Sequence, residues 1–179
     1  MKDFYWLMYV GLAGGIVCMC VISCATKKNK CSFARKVPCN YVLLTAFTLF
    51  WSLMVACFTA FFNPFVVVIA ATVTAFMTIG LVTCSMCVKS EMTWLWGIAG
   101  AALFAMWPMI IISWFWRSYW LSCIISFFGV VLASIYIVID IKMIMKHLEL
   151  DEYIIGALML YADIISLFMW LLSLLGGSG

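Results

Sequence analysis

The chain has 179 residues, of which 68% are hydrophobic and 9% charged, with a formal net charge of +3. A soluble domain carries about 25% charged residues, so a soluble globular enzyme is excluded, as are disorder and direct nucleic-acid binding, which need charge. The solvent for most of this chain is lipid, and at about 20 apolar residues per crossing it holds one helical bundle and no extramembrane domain.

A first span is predicted over 4–24. Ser23-Cys24-Ala25 resembles a signal-peptide cleavage site, but the apolar stretch is longer than the 7–15 residues usual for a signal and Asp3 cancels Lys2. Gly11 and Gly15 form a GxxxG pattern in this span, which permits close helix contact and is read as internal packing ahead of dimerisation. A basic loop follows over 25–40 with Lys27, Lys28, Lys30, Arg35 and Lys36. Cys24, Cys31 and Cys39 flank it, in positions open to S-acylation.

Residues 37–88 contain no charge. As one helix they would be about 78 Å long, over twice the hydrocarbon thickness. The stretch must fold back, and Asn63-Pro64 is its one strong break, giving spans over 41–62 and 65–88. After Lys89 and Glu91 a fourth span covers 92–116, with Gly97 and Ala101 spaced as Gly11 and Gly15 are. Arg117 marks the next loop. A fifth span covers 119–141, or reaches 145 if Lys142 and Lys146 snorkel, and a sixth covers 153–175. Helices are required because an open sheet leaves backbone groups unpaired in lipid. The expected fold is therefore an all-α polytopic membrane protein, a single transmembrane domain over 1–179 of six helices.

Lysine and arginine orient it. Loop 25–40, the loop at 89–91 and loop 142–152 lie on one side of a six-span protein and carry eight of the ten basic residues; Lys2 and Arg117 lie opposite. The three loops are therefore expected in the cytosol. Trp94 and Trp96 at one end of the fourth span, and Trp114, Trp116 and Trp120 near its other end, read as interfacial anchors. The nine cysteines are odd in number and mostly lie in apolar runs, where Cys behaves as a small hydrophobe. Cys84 and Cys87 form a CxxC with no second pair to complete a zinc site, so no cofactor is expected. His147, beside Lys146 and Glu149, reads as a solvated side chain, and Asp151 and Glu152 complement the start of the last helix.

Two carboxylates lie inside apolar runs: Asp140 in IYIVIDIK and Asp163 in LYADIISLF. An acid at the bilayer centre costs about 2.5–3.5 kcal/mol, and is by default a functional hypothesis. The last two spans form a hairpin, and the two acids are equidistant from a turn centred between Asp151 and Glu152. They are expected at the same depth, able to face each other. Two facing carboxylates in a low dielectric do not readily both ionise and instead share a proton. Doubly ionised, they offer oxygens to a hard cation such as calcium. The pair is thus a candidate proton-sensing and gating element and a transient calcium site. Tyr136 and Ser166, each one turn away on the matching face, are candidate hydrogen-bond partners. Lys142 lies on the other side of its helix from Asp140. The competing reading has Asp140 reaching cytosolic water and Asp163 bonded to nearby backbone.

The stretch from Ala133 to Gly176, with IYIVID, DEYIIGAL and LYADIISLF, closely resembles the C-terminal part of the transmembrane Bax-inhibitor-motif, or lifeguard, family. KVPCNYVLL resembles the segment before that family's third span, and AFFNPFVVVIAATVTAF the turn into its fourth. The resemblance implies the family's seven-helix fold, here without its first span and with the last helix central. It also implies a pH-sensitive calcium leak of the endoplasmic reticulum or Golgi, linked to suppression of cell death, with the family's paired acids falling on Asp140 and Asp163. Two features depart from the family pattern: Ile141-Lys142 stands where a polar pair usually follows the first acid, and the turn at Pro64-Phe65 lacks the usual acid.

Two other classes compete. A non-conducting scaffold would bind apoptosis regulators or calcium-release channels. An intramembrane aspartyl protease would use the same two acids as a general acid/base pair, but Leu160-Tyr161-Ala162 precedes Asp163 where such proteases carry GxG. No enzyme activity is expected. The partners expected are the bilayer and calcium ions.

Overall fold

The computed structural model describes residues 6, 9–11, 13–17, 20, 39–87, 93–115, 118–147 and 153–177. Among them there is no strand. Helix α1 comprises the described helical residues between positions 6 and 20. It is followed by α2 (Cys39–Thr59), α3 (Pro64–Cys87), α4 (Thr93–Phe115), α5 (Tyr119–His147) and α6 (Tyr153–Gly176). The protein is all-α. Among the described residues three stretches are long and apolar enough to cross a membrane, Pro64–Cys87, Tyr119–Met145 and Gly156–Gly176, and shorter apolar stretches cover Leu44–Thr59 and Gly97–Ile112. Large apolar side chains point outward, with Phe104, Phe76 and Phe65 all more than 70% exposed. Such a surface suits lipid and not water.

The chain forms two compact units, Met1–Phe62 with Glu149–Leu158, and Asn63–Leu148 with Met159–Gly179. In the first, α1 packs on α2 through its glycines. A methyl added at Gly11 would come within 3.2 Å of the Met54 backbone nitrogen and 3.3 Å of the Phe50 carbonyl, and one at Gly14 would overlap the Phe50 ring. Only a missing side chain allows two helix backbones to approach this closely. Gly15 faces the Trp51 indole, whose Nε1 is buried without a hydrogen-bond partner among the described residues. The GxxxG pattern is thus used for packing within the chain. Gly97 differs: a methyl there would meet nothing within 4 Å, and Ala101 is exposed.

The break at Asn63-Pro64 is a built helix start. The Phe65 amide donates to Asn63 Oδ1 at 3.1 Å, and the Val67 amide donates to the Asn63 carbonyl at 3.2 Å. Asn63 is therefore the N-cap of α3, and Pro64 occupies the first helical position, where its missing N–H costs nothing. Within α3, Thr72, Thr74, Thr78 and Thr83 each donate a hydroxyl proton to the carbonyl four residues back. These bonds satisfy the hydroxyls in an apolar setting.

In the second unit α5 packs against α3 and α4. One apolar cluster centres on Val130, Ala133, Ile137, Ile141, Leu167 and Leu171, and a second on Met106, Ile125 and Leu132. From Met159 to Gly176 no side chain of α6 is exposed.

Helix α5 runs to His147, beyond the predicted limits of 141 or 145, and Lys142 is buried inside it at 5% exposure. Lysine and methionine are good helix formers, so the backbone continues past the first charge. The side chains of Trp94, Trp96, Trp114, Trp116 and His147, and residues 25–38, 88–92 and 148–152, lie outside the described residues. Trp120 is 75% exposed at the start of α5, edge-on to Tyr119.

Candidate functional site: the acid pair between α5 and α6

Antiparallel α5 and α6 meet along a seam whose residues recur every three or four positions, which places them on one face of each helix. Across it Ser126 meets Ser173, Gly129 meets Trp170, and Asp140 meets Asp163 with Tyr136 close by; Ala133 and Ser166 share these faces by helical spacing. The carboxyl groups of Asp140 and Asp163 lie beside each other, within hydrogen-bonding reach. An ionised carboxylate only accepts hydrogen bonds, so a bond between the two uses a proton on one of them. Asp140 is 8% exposed, and Asp163 Oδ2 is buried with no hydrogen-bond partner among the described residues.

Tyr136 lies near enough to both acids to feel their charge. Ser166 is half-buried one turn along α6. Among the described residues, no hydrogen bond joins Tyr136 or Ser166 to either acid. Lys142 is buried two residues beyond Asp140, with no ion pair to it among the described residues. Ser85 of α3, itself buried, donates to the Val138 carbonyl at 3.4 Å and ties α3 to α5 beside the acid. The described residues contain no group of three or more His, Cys, Asp or Glu side chains able to hold a metal ion.

Two features of the seam were not anticipated. Ser126, fully buried, shares a hydrogen bond of 2.9 Å with Ser173. Gly129 lies directly under the indole of Trp170, where an added methyl would overlap the ring. Following the hairpin upward from the acids leads to the right neighbourhood for both. However, Ser126 lies 14 residues from Asp140 while Ser173 lies only 10 from Asp163, a drift of about one helical turn.

A family model described as inhibitor of apoptosis-promoting Bax1 matches residues 1–179. The chain belongs to this family. Among its relatives, mouse protein lifeguard 4 is 34% identical over 142 residues, covering 77% of this chain and 58% of the relative. Human protein lifeguard 3 is 27% identical over 176 residues, covering 94% and 55%. The Golgi anti-apoptotic protein of vaccinia virus (strain Lister) is 33% identical over 145 residues, covering 79% and 60%. The chain therefore spans a little over half the length of these curated relatives. As a Bax1-inhibitor family member with long apolar helices, it is an integral membrane protein.

Proposed function

We propose that this chain acts as a pH-sensitive calcium leak in an endoplasmic reticulum or Golgi membrane and serves to restrain cell death. The observation that carries the proposal is the close approach of the Asp140 and Asp163 carboxyls between two apolar membrane helices. A shared proton holds α5 and α6 together at this level. Its loss places two negative charges side by side, which repel each other and attract a divalent cation. Calcium takes 6–8 oxygen ligands, and two carboxylates supply at most four. The pair therefore suits an ion in transit, with water completing its shell. Tyr136, close to both acids, and Ser166, one helical turn from Asp163, offer hydroxyl groups to such an ion's water shell. The anti-apoptotic reading is supported by the names of the vaccinia virus relative and of the family.

The test is calcium entry into vesicles reconstituted with the purified chain, compared with the Asp163→Asn variant. The proposal expects calcium entry that changes with pH in the wild type and is insensitive to pH in the variant. Absence of entry from both at every pH would favour the scaffold that binds apoptosis regulators or calcium-release channels.

A further inference from the structure

The seam between α5 and α6 has two polar levels. One is the acid pair with Tyr136 and Ser166; the other is the Ser126–Ser173 pair. Between them the ring of Trp170 lies on Gly129. Trp170 packs against both apolar clusters, the one facing α3 and the one facing α4. Its neighbours in the seam, Val130, Ala133 and Leu167, are buried and carry no polar atom in their side chains. We propose that Trp170, seated on Gly129, is a hydrophobic gate that keeps water and ions from passing between the Ser126–Ser173 level and the acid pair.

The physical basis is dewetting. A constriction lined only by apolar groups excludes water and blocks ions without any charged barrier. The position matters, because an acid pair open to water from both sides would be a standing pore. Glycine at 129 lets the largest side chain approach the α5 backbone and leaves no gap beside it. Removal of the indole opens a space whose two ends meet hydroxyl groups, from Ser126 and Ser173 on one side and Ser166 on the other. Water in such a space finds the polar partners that a sealed apolar cavity lacks. The gate gains its role in calcium passage from the proposed leak, but its effect on water access stands apart from ion conduction.

The experiment places a thiol at the acid side of the gate by Ser166→Cys. A charged, membrane-impermeant methanethiosulfonate is then applied from the membrane face nearer Ser126, and modification at position 166 is read by mass spectrometry. In the otherwise wild-type chain the position is protected. With Trp170→Ser it is modified about tenfold faster or more, a factor equivalent to 1.4 kcal/mol. Gly129→Ala, which displaces the ring without removing it, also raises the rate, and Trp170→Phe keeps the protection. Equal rates in all four chains would overturn the gate, as would protection in both Trp170→Ser and Gly129→Ala. Calcium entry measured on the same vesicles separates the two ideas. Faster labelling without calcium entry upholds the gate and rejects the leak; pH-dependent entry with unchanged labelling upholds the leak and rejects the gate.

Discussion

A carboxylic acid in lipid is tolerable only if its charge is neutralised or its oxygens are bonded. Asp140 and Asp163 go part of the way by lying against each other, where one shared proton halves their charge, while Asp163 Oδ2 has no hydrogen-bond partner among the described residues. The serines at the far end of the seam solve a smaller version of the same problem. Ser126 is 1% exposed, and its hydroxyl is matched by Ser173. Ser126→Ala is expected to cost about 1–2 kcal/mol, since it leaves a hydroxyl without its partner. Replacing both serines by alanine is expected to cost less than the sum of the single changes, because the second change removes the orphan left by the first. Denaturant titration in detergent checks both values, and strict additivity would contradict the bond. The acids themselves were legible in the sequence, since few residues are as conspicuous as a charge in an apolar run. The serine pair was not: serine is common in apolar helices, and nothing local distinguishes one that bonds across a seam from one that bonds to its own helix, as Ser134 does.

The same contrast holds for the helices. The start of α3 could be read from Asn63-Pro64 because capping is local chemistry. Asn63→Ala removes the side-chain acceptor of the Phe65 amide and is expected to lower stability by about 1 kcal/mol. Small-residue spacing was less informative, because Gly11 with Gly15 and Gly97 with Ala101 look alike in sequence. Only the partner helix separates them. Gly11→Val would drive a side chain into the α2 backbone, and a loss of about 1–3 kcal/mol is expected from the overpacking. Gly97→Ala meets open space and is expected to be neutral or stabilising by up to about 1 kcal/mol, the helix-propensity gain. Thermal unfolding of the two variants side by side tests this, and an equal loss in both would contradict the packing of α1 on α2. At the end of α5 the apolar span runs to Met145, the longer of the two limits read from the sequence, and Lys142 is buried within the helix.

For the whole molecule, the distribution of basic residues predicts that loop 25–40 and the loop after α5 face the cytosol. Cys31 and Cys39 are native reporters for the first of these. An impermeant thiol reagent is expected to reach them from the cytosolic face of intact vesicles, and labelling from the lumenal face alone would reverse the orientation. Membership of the Bax1-inhibitor family, established over residues 1–179, agrees with the helical membrane fold drawn from composition. The most direct measurement is the pH dependence of calcium entry in vesicles holding the Asp140→Asn, Asp163→Asn double variant. Asparagine cannot titrate in this range, so entry is predicted to become flat with pH while the wild type varies. A full wild-type pH response in the double variant would contradict the role assigned to the pair.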